Sequence, residues 1–347
     1  MDKLAFVSDY QEGAHPAILK RLCETNLTKS PGYGTDAVCA SAREKIRAAC
    51  ACPEAEIHFL VGGTQTNLVM IDALLHPWQG VVAADTGHIS VHEAGAIEAC
   101  GHKVLALPGT DGKIAVRQIQ KLWDDYYGDA NREHMVMPGM VYLSQPTEYG
   151  TLYSLAELTE ISSLCRELGL PLYVDGARLA YALACPENDV ALPNLARLCD
   201  AFYIGGTKCG ALFGEAVVIP KAGTIPHLFT LIKQHGALLA KGRLLGIQFD
   251  TLFTNGLYEQ IGIPAIRAAE HIRNSLKALG YRPYFETPTN QTFWVVENDR
   301  LPQLEECVEY GFWEKYDETH TVIRFATSWA TEMEDVERLV AVLAAEH

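Results

Sequence analysis

The chain has no apolar run approaching the ~20 residues that a helical membrane span needs, so no membrane crossing is expected. It is also short of positive charge. Lys and Arg number 28 against 43 Asp and Glu, giving a formal net charge of −15 over 347 residues. A field of that sign repels phosphate backbones and argues against a nucleic-acid partner. Any anionic ligand must then be held by local groups against the overall field. There is no internal repeat, no low-complexity tract, no GxGxxG and no P-loop pattern. Among ten cysteines only Cys50 and Cys52 lie close together, and no second pair completes a zinc site. The cysteines are therefore expected to be reduced and mostly buried. The start, Met1 to Asp9, carries an acid at position 2 and no long apolar region. No export leader is expected there, and the expected location is the cytoplasm.

What remains is a globular composition, 48% apolar and 20% charged. The length suits one large domain and a smaller one. Short apolar runs alternate with helical patterns through the middle of the chain. Ile57–Val61 precedes a helical stretch to about Leu75, and Gly80–Ala84 precedes a helix expected from Val91 to Ala99. Lys103–Leu107 precedes a helix near 115–127. Met140–Ser144 precedes a helix from Leu155 to Leu168, opened by Ser154 with Glu157 three residues on, the signature of a capping box. Continuous apolar strands alternating with helices predict a mostly parallel sheet covered on both faces, whose ligands bind at the carboxyl ends of the strands. After about residue 245 the texture changes. A helix near Pro264–Leu279, strands at Thr292–Val296 and Thr321–Phe325, and a final helix from about Glu332 predict a small α+β domain. The expected division is 1–245, with the N-terminal segment contributing to the site, and 246–347.

Two apolar runs stop abruptly on charge. Leu172-Tyr173-Val174 ends on Asp175, within Asp175-Gly176-Ala177-Arg178, and Tyr203-Ile204-Gly205-Gly206-Thr207 ends on Lys208. An acid and an amine at the exits of neighbouring strands are what a protein needs to hold pyridoxal 5'-phosphate. The lysine forms a Schiff base, and the acid keeps the pyridine nitrogen protonated so that the ring withdraws electrons. Each residue has a plainer reading too. Asp175 is also a helix-capping acid beside an exposed arginine, and Lys208 a solvated loop residue. Val61-Gly62-Gly63-Thr64 sits between strand and helix, where glycines let backbone N–H groups approach one phosphate, although Gly-Gly after a strand is often only a turn. The Thr207 hydroxyl is a second phosphate candidate. His88 and His92 stand at metal-ligand spacing with no third ligand, so no metal is expected. His88 fits a ring lying over a planar cofactor, or a simple capping histidine. Arg324 is placed to hold a carboxylate in a bidentate pair, or is merely a strand-end arginine.

Assembled, these residues resemble the threonine aldolases of the β-eliminating lyase family, with the aspartate-aminotransferase-like fold type I. The resemblance runs through Ser8-Asp9, Tyr33-Gly34-x-Asp36, Gly63-Thr64 with Asn67, His88 with Glu93-x-Gly95, Asp175-Gly-Ala-Arg178, Lys208 and Arg324. It implies that Lys208 links to the cofactor, Asp175 binds the ring nitrogen, His88 stacks on the ring and Gly63 and Thr64 bind phosphate. It places Ser8, Arg178 and Arg324 around the substrate carboxylate. It also implies a homo-oligomer, a tetramer or dimer with sites at subunit interfaces. The chain departs from the family where a Thr-His-Asn segment is replaced by Gln145-Pro146-Thr147-Glu148, so that Glu148 stands in for a histidine near the substrate hydroxyl. A tyrosine of the family is His92 here, and a Gly-Gly-Gly-Met-Arg-Gln segment is matched only by His235–Arg243, where Lys241 takes over the arginine's phosphate contact.

The implied activity is cleavage of a β-hydroxy-α-amino acid to glycine and an aldehyde, with His88, Glu148 or a water between them as the base. The alternatives are β-elimination or transamination on another amino acid, and a non-catalytic binding protein with this fold. Retention of Lys208, Asp175 and Arg324 together argues against the last.

Overall fold

The computed structural model describes residues 3–345. Met1 and Asp2, on which the reading of the chain start partly rests, lie outside them. Seven strands form the central sheet: β1 (Glu56–Leu60), β2 (Gln79–Ala84), β3 (Lys103–Leu107), β4 (Met137–Ser144), β5 (Leu172–Asp175), β6 (Ala201–Gly205) and β7 (Glu215–Ile219). Their spatial order is β1-β7-β6-β5-β4-β2-β3. Only β7 runs against its neighbours; the other pairings are parallel.

The apolar runs are continuous because both faces of the sheet are covered. Alternate residues go to opposite sides: Val82, Val141, Leu143, Leu172, Val174, Phe202 and Ile204 join one core. Val81, Ala83, Met140, Tyr142, Tyr173 and Tyr203 join the other. This is the strand period of two with no polar face. Helices Gly63–Leu74 and Leu155–Leu168 form where the sequence predicts them, the second with the Ser154–Glu157 capping box in place.

One helix differs from expectation. Instead of a run from Val91 to Ala99 there are two single turns, His88–Val91 and Ala96–Ala99. Ala94 and Gly95 between them take positive φ values of 51° and 72°. This left-handed pair breaks the helix, and Glu93 just before it is 5% exposed.

A second, five-stranded sheet joins Leu4–Phe6, Val308–Lys315, His320–Ala326, Gln291–Glu297 and Arg282–Pro283, in that order. The N-terminal strand is parallel to Val308–Tyr310 and so belongs to this later sheet. Its apolar face packs on helices Ile263–Ala278 and Met333–Ala345. The expected boundary between residues 245 and 246 lies within the helix Arg243–Leu252, whose eight residues from Leu245 onward are all buried. No helix among the described residues is long and apolar enough to cross a membrane, and all ten cysteines are unpaired.

Candidate active site

The carboxyl edge of the parallel strands carries the charge. Ser144 at the end of β4 lies beside Asp175 at the end of β5, and Gly205 at the end of β6 leads within three residues to Lys208. Two adjoining cavities open at this edge. The inner one, about 260 Å³, is lined by Gly63, Thr64, Asp175, Thr207, Lys208 and Glu215 among others. The outer one, about 560 Å³, is lined by His92, Tyr149, Trp313 and Arg324. Tyr10, His88, Glu148, Arg178 and Lys208 border both.

Asp175 is 4% exposed. Its carboxylate accepts hydrogen bonds from Asn67 Nδ2 (3.0 Å), the Tyr142 hydroxyl (2.6 Å) and the Ala177 N–H (2.9 Å). Burial alone would raise its pKa, but the His88 ring and the donors Tyr142, Tyr203 and Asn67 more than offset this and hold it below the ordinary value. A fixed anion therefore faces the inner cavity. Asn67 also donates to Glu93 (2.8 Å), and Glu93 meets His88 Nδ1 at 2.7 Å. A carboxylate at that nitrogen favours the proton on Nδ1, which fixes the ring's tautomer and orientation. Neither Asn67 nor Glu93 was given a role from sequence. The signal was present in the family pattern, which holds Asn67 beside Gly63-Thr64 and Glu93 in Glu93-x-Gly95.

Lys208 is partly buried. Burial, with Arg178 adding to it, lowers the amine's pKa, while Asp9, Asp175 and Glu215 pull the other way. A lysine that loses its proton more readily is a better nucleophile toward a carbonyl. Tyr10 lies across it, ring centroid 5.9 Å from Nζ.

Glu148 is 8% exposed. Its Oε1 accepts from the backbone N–H of His88 (2.8 Å) and the Ser144 hydroxyl (2.7 Å). Burial raises its pKa against those hydrogen bonds, and the Asp175 charge adds to the rise. The residue that departs from the family pattern thus stands at the junction of the two cavities, next to His88.

The two arginines differ. Arg178 grips Asp9 through Nε (2.6 Å) and Nη2 (3.0 Å). Asp9 is fully buried; Arg178 and Lys208, with the Asn290 hydrogen bond, overcome the cost of burial and bring its pKa down to about 2. Arg324 donates to Gln291 Oε1 (3.0 Å) and the Val7 carbonyl (2.8 Å), but its buried Nε has no partner. The strand Val308–Lys315 slips register between Phe312 and Glu314. Trp313 falls in that bulge, and its ring lies 5.9 Å from the Arg324 guanidinium. Bulges re-aim side chains in this way.

Other predicted residues are placed differently. Gly63 and Thr64 open the helix Gly63–Leu74, whose N-cap Gly62 offers no side-chain hydrogen bond. The free N–H groups there make an anion site. A Cβ on Gly63 would come within 3.2 Å of the Tyr203 hydroxyl. The Thr207 hydroxyl is engaged with Glu215 (2.7 Å). Ser8 is buried beside Asp9 and borders neither cavity. Lys241 is exposed and also borders neither. Its neighbour Gly242 packs instead on the backbone of Tyr33 and Gly34.

A buried acid at one end, a depressed lysine in the middle, an uncapped helix N-terminus and an arginine with a spare donor fit the ring nitrogen, aldehyde and phosphate of pyridoxal phosphate and the carboxylate of an amino acid. A family model described as Beta-eliminating lyase matches residues 5–285. The solved structure of threonine aldolase from Leishmania major superposes with a TM-score of 0.95 at 44% identity, covering 98% of this chain and 98% of that one. A low specificity L-threonine aldolase of Pseudomonas aeruginosa is 28% identical over 96% of this chain and 95% of its own. An aspartate aminotransferase from Thermus thermophilus, 15% identical with a TM-score of 0.71 over 100% and 92% of the two chains, shares the fold.

Proposed function

The chain belongs to the β-eliminating lyase family, and from that premise we propose that it is a pyridoxal-phosphate-dependent aldolase acting on β-hydroxy-α-amino acids of the threonine type. The observation that carries the reading is the convergence of Lys208, Asp175, His88 and Glu148 on one pair of joined cavities, with Arg324 at the outer wall. The threonine aldolase from Leishmania major, alike over almost the whole chain, supports the same substrate class.

In this reading Lys208 would hold the cofactor covalently, Asp175 would pair with its ring nitrogen, His88 would lie against the ring, and the N–H groups at Gly63 and Thr64 would take the phosphate. When bound, the cofactor supplies an electron sink for the charge left at the substrate's Cα. Arg324, whose Nη1 and Nη2 each keep a second N–H beyond the bonds to Gln291 and Val7, would take the substrate carboxylate, and Arg178, held by Asp9, adds positive field without leaving its partner. The carboxylate so held would fix the orientation of the substrate's Cα–Cβ bond in the pocket. Glu148, raised by burial, takes the β-hydroxyl proton as the Cα–Cβ bond breaks and the aldehyde leaves. Its neighbour His88, tied to Glu93, keeps the pocket's geometry. The leaving aldehyde has room in the outer cavity between Tyr149 and Trp313. Residues 1–245 carry the cofactor groups in this division of labour, and 246–347 bring Arg324.

We propose further that the active form is a homo-oligomer, because Lys241 reaches neither cavity of its own chain and would meet a neighbour's phosphate. Ten unpaired thiols suit a reducing cytoplasm. The test is to offer threonine, allo-threonine, phenylserine and serine separately to the cofactor-loaded protein. Glycine plus aldehyde from the β-hydroxy substrates supports the proposal. Pyruvate or a keto acid as main product, or no product, overturns it.

A further inference from the structure

Glu215 is used by nothing above, yet it stands in the middle of the site. It opens β7, the one reversed strand, and pairs with Leu60 on one side and Gly205 on the other. Both neighbours end where it begins. Its side chain therefore enters between the turn that carries Gly63-Thr64 and the turn that carries Thr207-Lys208. It is 3% exposed and lines the inner cavity with those four residues. Oε2 accepts the Gly206 N–H at 2.9 Å, and Oε1 lies 2.7 Å from the Thr207 hydroxyl. The Thr207 oxygen in turn accepts the Gly214 N–H at 3.0 Å.

A threonine hydroxyl has one proton and two lone pairs. One lone pair is taken by Gly214. If Glu215 is ionised, the hydroxyl proton must point at it, and Thr207 offers nothing to the cavity. If Glu215 is protonated, it donates to the second lone pair, and the Thr207 proton turns outward. An ionised Glu215 would in addition repel a phosphate held at Gly63 and Thr64. We propose that the cofactor's phosphate binds preferentially when Glu215 carries a proton, drawn from solvent wherever the carboxyl is ionised beforehand, and that this proton hands the Thr207 hydroxyl to the phosphate as a donor. No bond other than O–H changes, and solvent supplies the proton. Burial pushes the Glu215 carboxyl up to about 8; Thr207, Gly206 and Lys208 oppose this and Asp175 adds to it. The remaining titratable groups facing it are Tyr173, Tyr203, Tyr258 and Cys209. Burial raises all four, so they stay neutral through the range.

The inference rests on the reading that this cavity holds pyridoxal phosphate, and its test avoids turnover. Apoprotein is titrated with pyridoxal phosphate and with pyridoxal, following tryptophan fluorescence at several pH values. Lys208, Asp175 and His88 act on both ligands alike, so the ratio of the two affinities isolates the phosphate. The phosphate's own second ionisation, near pH 6, is complete before the window opens. In the wild type the ratio should fall by about tenfold per pH unit above about 8, the slope of a one-proton linkage. Glu215→Gln donates its amide N–H to Thr207 at every pH, so its ratio should stay high and flat. Thr207→Val, which keeps Glu215 but has no hydroxyl to turn, should lower the ratio below pH 8 and serves where Glu215→Gln does not fold. A wild-type slope retained in Glu215→Gln, or a Thr207→Val ratio equal to wild type, overturns the inference. Binding of neither ligand overturns it together with the proposed function. The predicted slopes without glycine from any substrate refute the activity alone.

Discussion

Glu148→Gln separates proton transfer from geometry. The carboxylate is pinned by a backbone N–H from His88 and a hydroxyl from Ser144, both on Oε1. A glutamine keeps an acceptor oxygen of the same shape at that point, so both hydrogen bonds survive and the two cavities keep their walls. What is lost is the ability to take a proton. General-base catalysis by one placed side chain contributes about 10²–10⁴-fold, or about 2.7–5.5 kcal/mol of barrier. Aldol cleavage by the variant should fall by at least that lower bound, with KM little changed, because Glu148 grips no fixed substrate charge. The pH dependence sharpens the test. A base works only when ionised, and burial raises this carboxyl. Wild-type kcat should therefore rise with pH through a value above the ordinary glutamate range, and the variant should lack that limb. Stability should move the other way. A folded-state pKa above the unfolded one gives stability that is full at low pH and lost as pH rises through the folded value. Glu148→Gln should thus melt higher than wild type at alkaline pH. The measurement is glycine release under single-turnover conditions across the pH range, beside calorimetric melting. A variant with kcat within threefold of wild type and the same pH limb would refute the assignment of the base.

Three other outcomes follow from the same structure. Borohydride reduction of the holoprotein and peptide mapping should find the cofactor on Lys208, and Lys208→Ala should fold but lose the visible absorbance; label on another lysine contradicts this. Asp9→Asn leaves Arg178 buried against a neutral partner, so it should cost about 3–5 kcal/mol in denaturant unfolding. Because the Asp9 carboxyl is lowered to about 2, its stabilisation is full above the unfolded pKa and is lost as pH falls through the folded value; a melting temperature equal to wild type at pH 7 would show that the pair is not needed. Sedimentation of the active protein should give a species larger than the 38.2 kDa chain, and full activity in a monomer would sink the proposed role of Lys241.

The sequence by itself determined the sheet and the edge where the chemistry lies. Leu172–Asp175 and Tyr203–Lys208 are local signals: an apolar run needs burial on both faces, and a charge that ends it must fall at the sheet's rim. His88 was visible for the same reason, at a strand-to-helix turn. The kink at Ala94-Gly95 was missed because helical periodicity does not register two successive residues in the left-handed conformation. Only the tertiary structure decided which charges meet. Asp9 finds Arg178, and Asn67 finds Asp175 and Glu93, across separations that no periodicity encodes. In sequence Glu215 is only an acid ahead of the apolar run Ala216–Ile219, and it is the reversal of β7 that brings it among its neighbours' ends. A strand's direction in a sheet is set by which neighbours bury its faces, and that is a property of the whole fold.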